Sequence, residues 1–192
     1  MAKNNNPTKV VTGKDTRLSY ANIWEPKAIN GGEPKYSVSV LIPKSDKATI
    51  AAISKAIDAA IDAGIGKFGS NKPHKKAIKL PIREGDIERD DEAYAGHYFI
   101  NANSYTAPQI VDSRVRPILD RNEVYSGCYA RVSLSFYAFN TNGNKGVACG
   151  LGNIQKVRDG ESLSGHSTAA DDFDTLDDDD LDDFLGTDDL PF

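Results

Sequence analysis

The sequence holds only two cysteines, one tryptophan, one methionine and three histidines among its 192 residues. Cys128 and Cys149 do not make a disulfide framework and are too few for a zinc site of their own. His74, His97 and His166 are scattered without ligand spacing. Both thiols are expected to be small buried residues, and no metal or other cofactor is expected. No run approaches the ~18 apolar residues of a membrane span, and Met1 leads into polar AKNNNPTK rather than an apolar leader. The expectation is a soluble, cytoplasmic protein without a membrane partner. One region also lacks a sign of charge: from Asp171 to Phe192 there are eleven aspartates and no Lys or Arg.

Setting those eleven aside leaves 17 acidic residues against 23 basic ones, so residues 1–170 carry +6 although the whole chain carries −5. A mildly basic body with a strongly acidic tail suits a body that meets a polyanion and a tail with another task. Catalytic signatures are missing as well. GIGKFG matches G-x-G-x-x-G at Gly64, Gly66 and Gly69, but it follows a helix pattern and precedes Pro73, the reverse of a dinucleotide turn. Asp86, Glu88, Asp90, Asp91 and Glu92 form a carboxylate cluster of the kind that holds Mg²⁺ for phosphodiester hydrolysis. The sequence shows no His or Lys partner for them, so a solvated loop is the plainer reading. With no Ser or Cys nucleophile constellation either, the chain reads as a binding protein and not an enzyme.

With 39% hydrophobic residues the chain can bury one core. TKVVTG (8–13) and RLSYANIW (17–24) are short candidate strands. KYSVSVLI (35–42) alternates, placing Tyr36, Val38, Val40 and Ile42 on one face. Ser45 is a candidate N-cap for a helix over 46–63, striped by Ile50, Ile53, Ile57 and Ile61 and ended by Gly64. Residues 64–95, rich in Gly, Pro and charge, read as a long irregular insertion. HYFINANS (97–104) resumes as a strand, and a loop with Pro108 and Pro117 leads on. CYARVSLSFYAF (128–139) is the strongest strand; Asn142-Gly143 signals a hairpin, and the glycines of GVACGLGNIQKV (146–157) a bulge. From Gly160 on there is no apolar period, so 160–192 is expected to be a disordered tail. The predicted fold is mainly β: an oligonucleotide-binding (OB) domain over 1–159. It is a five- to six-stranded Greek-key barrel with one helix between strands 3 and 4 and the 64–95 insertion.

In the 128–139 strand, Cys128, Ala130, Val132, Leu134, Phe136 and Ala138 should face the core. Tyr129, Arg131, Tyr137 and Phe139 then face out, offering rings to stack on bases without reading sequence and a cation for phosphate. Trp24, Phe99 and Tyr105 near strand ends are further candidates. So are Lys35, Arg114 and Arg116 in or beside strands, and the basic cluster Lys72, Lys75, Lys76 and Lys79, since phosphate neutralisation needs several cations along a track. Taken singly, each has a bland alternative: Trp24 as a core aromatic, the lysines as solvated surface. In the tail, the aspartates can mimic phosphates and compete for the basic groove. Asp188, Asp189, Leu190, Pro191, Phe192 and the terminal carboxylate suit an apolar pocket with a basic rim on a partner protein.

The ending DDLPF resembles the acidic tip, usually Asp-Asp-Ile-Pro-Phe, of bacterial single-stranded-DNA-binding proteins, with Leu190 for Ile. The body resembles a bacteriophage family of single-stranded-DNA-binding proteins with an OB fold. YSVSVLIPK (36–44), AGHYFINANS (95–104), EVYSGCYARVSLSFYAF (123–139) and LGNIQKVRDGESL (151–163) carry that resemblance. It implies a non-enzymatic protein that coats single-stranded DNA in phage replication, recombination and repair, in the cytoplasm of the infected host. It also implies a tail that recruits replication and recombination proteins; homo-oligomerisation is compatible with it. The alternatives carried forward are a Mg²⁺-dependent nuclease using the 86–92 carboxylates and an acidic DNA-mimic or adaptor protein.

Overall fold

In the computed structural model, which describes residues 5–69, 71–165 and 172–173, the chain forms ten principal elements. They are β1 (Lys9–Val11), β2 (Arg17–Lys27), β3 (Lys35–Pro43), α1 (Lys47–Ala63), β4 (Ile82–Glu84), α2 (Gly85–Glu88), β5 (His97–Ser104), β6 (Ile110–Val111), β7 (Tyr129–Thr141) and β8 (Asn144–Arg158). Five strands close a ring in the order β7–β2–β3–β5–β8, with β8 paired back to β7. Every neighbour pair in the ring is antiparallel except β5–β8, which is parallel. This is the expected OB barrel. The three-residue β4 and the two-residue β6 leave no sequence signal, because alternation cannot be read over so few residues.

The helix follows the third strand, as the sequence predicts. Because β1 lies outside the ring, that position is between the second and third strands of the barrel. The N-cap is Asp46, not Ser45: the Asp46 carboxylate accepts from the Thr49 backbone N–H at 3.1 Å, the bond an N-cap makes three residues on. Ile53, Ile57 and Ile61 are buried and Ile50 half-buried, and α1 packs on β7 and β1. All six predicted inward residues of 128–139 are buried. Asn142 and Gly143, with φ of 51° and 82°, make the hairpin turn. The register of β7–β8 slips between Val132 and Leu134. Gly152 sits at that bulge, where a Cβ would come within 2.2 Å of the Ser133 hydroxyl and 2.8 Å of the Ser133 backbone carbonyl, so glycine is required there. Burial raises the pKa of both thiols, which leaves them unreactive.

Residues 64–95 are not the irregular excursion expected. At Lys79 the chain pairs with β8: its N–H donates to the Lys145 carbonyl and its carbonyl accepts from Val147, both at 2.9 Å. Further on, β4 pairs with β5, and Tyr94 folds over the outer face of the sheet. There Leu41, Tyr94 and Phe99 form a second, separate core. The rings of Tyr94 and Phe99 meet edge to face at 5.1 Å, and the Tyr94 hydroxyl donates to Ser39 Oγ at 3.1 Å. Alternation predicts one buried face for β3; Ser39 and Leu41 are buried on the other as well. Residues 160–163 run along the barrel: the Gly160 carbonyl accepts from the Tyr125 hydroxyl at 2.9 Å, and Leu163 N–H donates to the Ser126 carbonyl at 2.9 Å. The predicted disordered tail otherwise lies almost wholly outside the described residues.

Phe99 is fully buried in this second core. Phe99→Ala is expected to cost about 3–5 kcal/mol of folding free energy, read as a drop in the urea midpoint at unchanged m-value.

Candidate nucleic-acid interface

Beyond the second core, the outer face of β3 and β5 is open. Its side chains there are short and polar because the strands alternate: Val38, Ile100 and Ala102 turn inward, leaving Ser37, Asn101 and Asn103 outside. With Asn22 of β2 they floor a groove of about 900 Å³. The β2–β3 connection, including Ile29 and Glu33, walls one side, and Tyr20, Arg89 and Tyr105 also line it. Tyr20 and Tyr105 are 59% and 64% exposed, large for aromatic residues. Three cations, Lys27, Lys35 and Arg89, line the groove against one carboxylate, Glu33. Lys35 Nζ lies 4.6 Å from the Tyr105 ring centre, and the Arg89 guanidinium lies 5.7 Å from that of Tyr20. Rings paired with cations on a polar floor suit an anionic ligand with flat faces. The outer face of these strands is also where OB folds take oligonucleotides.

Arg89 reaches the groove because its segment is clamped. Lys44 bonds both Glu84 and Asp86, and Asp86 also accepts from the Gly96 N–H at 2.8 Å. Glu88 pairs with Arg83 at 2.6 Å, and Asp91 accepts from Ala93 N–H at 3.0 Å. The 86–92 cluster therefore does have a lysine partner, Lys44, which the sequence leaves some forty positions away. Asp86, Glu88 and Asp91 are thus engaged in holding the segment. The hydrogen bond from Lys44, with that from Gly96, keeps the Asp86 carboxyl below its ordinary pKa.

Of the residues predicted from sequence, Lys35 and Tyr105 meet in this groove. Phe99 does not: fully buried under Tyr94, its ring has no face for a base. Trp24 is half-buried against the core, its Nε1 donating to the Val124 carbonyl at 2.9 Å. Tyr129 carries the Arg158 guanidinium 3.9 Å from its ring centre and that of Arg17 at 5.6 Å, so its ring is already engaged. Arg131 ties β1 to the barrel, donating to the Thr12 carbonyl at 3.2 Å. Phe139 is half-buried, and Tyr137 is 49% exposed on β7. Lys72 and Lys75 pair with Asp62 and Asp58 of α1 at 2.7 and 2.9 Å, away from the groove lining; Lys76 is exposed beside them. Arg114 and Arg116 flank a turn organised by Asp112, which pairs with Arg116 at 2.7 Å. Asp188, Asp189, Leu190, Pro191 and Phe192 lie outside the described residues. Sequence reasoning missed Tyr20, Lys27 and Arg89. Asn101 and Asn103, alternating with Ile100 and Ala102, were the available signal for the floor. Arg89 was hidden inside an acidic run.

The family model described as Enterobacter phage Enc34, ssDNA-binding protein, matches residues 8–185. The protein called putative protein p50 of Acyrthosiphon pisum secondary endosymbiont phage 1 is 31% identical over 169 residues, 84% of this chain and 91% of that protein. The single-stranded-DNA-binding protein of bacteriophage Enc34, solved in complex with ssDNA, shares the fold with a TM-score of 0.71 at 24% identity, over 82% of this chain and 90% of that one. So does gp2.5, a single-stranded-DNA-binding protein of bacteriophage T7, with a TM-score of 0.55 at 17% identity, over 95% of this chain and 97% of that one.

The Lys44 clamp gives the groove wall an acid limit. A carboxylate whose pKa is lowered by folding stabilises above its unfolded pKa, and that contribution is lost as pH falls through the folded value. Hydrogen-exchange protection of the Gly96 amide should therefore hold at neutral pH and fade as pH drops through and below the ordinary carboxylate range. In Asp86→Ala it should be lost at neutral pH too, with the protection of β7 unchanged.

Proposed function

We propose a function from one premise: the chain belongs to the Enc34 phage family of single-stranded-DNA-binding proteins. The chain binds single-stranded DNA, without sequence preference, in the β2–β3–β5 groove. Splayed bases stack on Tyr20 and Tyr105, and Lys27, Lys35 and Arg89 take the phosphates. The observation that carries this is the pairing of exposed tyrosines with cations over an uncharged Asn and Ser floor. The amide and hydroxyl groups of that floor can donate to or accept from any base. Hydrolytic chemistry has no support in the 86–92 carboxylates, since Asp86, Glu88 and Asp91 are each held by their own partners.

The role follows from coating: protection of single strands during phage replication, recombination and repair, in the host cytoplasm. No helix among the described residues is long and apolar enough to cross a membrane. The acidic tail competes with DNA for the groove. Displaced by DNA, it offers Asp188, Asp189, Leu190, Pro191 and Phe192 to replication and recombination proteins. The charge division between residues 1–170 and the eleven aspartates beyond supports this.

Fluorescence anisotropy with a labelled oligothymidylate over a salt series tests both parts. Tyr105→Ala should weaken binding by ~1–3 kcal/mol, one lost stack. Lys35→Ala should flatten the salt slope by ~0.7, one lost phosphate contact on a single strand. A chain ending at Ala170 should bind more tightly than the full chain. Full affinity in a folded Tyr20→Ala/Tyr105→Ala double variant would refute the groove.

A further inference from the structure

The strand registers join into one row of outward-facing residues across the barrel. Asn22 pairs with Ser37, Ser37 with Asn103, Asn103 with Gly150, Gly150 with Ser135, and Ser135 with Lys9 of β1. The first three floor the groove; the last three lie beyond it, on β8, β7 and β1. No member of the row has a large side chain until Lys9 ends it. Eight tyrosines are spread over the chain, and only Tyr20, Tyr105 and Tyr137 are strongly exposed. All three border this row: Tyr20 and Tyr105 in the groove, Tyr137 two residues from Ser135.

Gly150 is the telling position. Its φ is not positive, and a Cβ built on it would meet the Ser135 carbonyl at 3.6 Å, Tyr137 Cε1 at 3.8 Å and Ser135 Cβ at 4.0 Å, all ordinary contacts. Gly152, two residues on, is forced by sterics; Gly150 is not. A strand-interior glycine that the fold does not demand marks a place where something approaches from outside. Here it leaves a saddle between Asn103 and the Tyr137 ring.

We infer that bound single-stranded DNA does not stop at the groove but continues over the Gly150 saddle to a second stacking platform, Tyr137, with Lys9 holding a phosphate at its end. This rests on the groove being the primary DNA site. At ~4.8 Å between strands, the three-strand groove spans ~10 Å and the six-strand row ~24 Å. The longer path therefore takes more than twice as many nucleotides as the groove alone.

The test compares the full-length protein on oligothymidylates of about 4 and about 12 nucleotides, both within the range of OB sites. Tyr137→Ala and Gly150→Val should each weaken the longer oligomer about tenfold, the effect of one lost stack, and leave the shorter unchanged. Thermal melts should show both variants folded. Tyr137→Ala, which removes an exposed ring, serves if Gly150→Val does not fold. Tyr105→Ala should weaken both lengths. If Tyr137→Ala affects neither length while Tyr105→Ala weakens both, the extension is wrong and the groove stands. If Tyr137→Ala weakens both lengths equally, Tyr137 is no separate platform and the extension also falls. If Tyr105→Ala affects neither length, the primary groove itself is misplaced.

Discussion

Tyr94 lying on the outer face of β3 and β5 is the contact that divides this protein's surface. A barrel strand normally has one face in the core and one in water. Along β3 and β5, half of the second face is withdrawn from water by Leu41, Tyr94 and Phe99. What remains open is bounded, and the segment that closes one half carries the wall of the other. The Arg89 guanidinium lies 5.2 and 5.4 Å from the ring centres of Tyr94 and Phe99, and 5.7 Å from that of Tyr20. It thus joins the second core to the groove. The insertion that interrupts the barrel sequence is the part that gives the sheet face a shape.

Cations near aromatic rings serve two ends here, and exposure separates them. Arg158 and Arg17 lie against Tyr129, and both also donate to backbone carbonyls: Arg158 to Lys14, Arg17 to Gly127 and Glu161. These arginines tie the β1–β2 connection and the 160–163 strap to the barrel. Lys35 over Tyr105 has a ring 64% exposed beside it, in a groove with a single carboxylate. The same pairing is cement where the ring is covered and a docking surface where it is open. Similarly, Lys72 and Lys75 spend their charge on Asp62 and Asp58, so a basic run in the sequence is not a basic track in space.

The barrel was legible because its signals are local and periodic. The alternation of 128–139, the Asn142-Gly143 turn and the isoleucine stripe of α1 each stand within one stretch of chain. The charge division also pointed correctly to a polyanion-binding family. The site was less legible, for physical reasons. Whether an outward aromatic is open depends on what folds over it: Arg158, on another strand, lies over Tyr129, and Tyr94, close in sequence to the Phe99 it covers, is held there by distant Ser39. Lys44 meeting Asp86 is likewise a long-range event. Of the predicted contacts, Lys35 and Tyr105 converge in the groove and Tyr137 stays exposed nearby, while Trp24, Phe99, Tyr129 and Arg131 are structural in their contacts.

Tyr20 shows how the groove's geometry is held against local preference. With φ of 45° it occupies the left-handed region, sparsely used by aromatic residues. The register of β2 against β3 slips there, between Ser19 and Asn22, as at a bulge that re-aims a side chain. Neighbouring bonds maintain it: Asn22 Nδ2 donates to the Tyr20 carbonyl at 3.2 Å and to Ser37 Oγ at 3.3 Å, and Ala21 N–H donates to Ser126 Oγ at 2.9 Å. A regular strand would put Tyr20 and Asn22 on one face, evenly spaced. The bulge instead turns the Tyr20 ring into water beside Arg89 while Asn22 stays in the floor. Unfavourable backbone conformations persist where surrounding contacts over-determine them, and they gather at functional sites. The strain at Tyr20 thus aims its ring into the groove, whereas the other bulky residue with a positive φ, Val115 at 63°, serves the turn closed by its N–H on the Asp112 carbonyl.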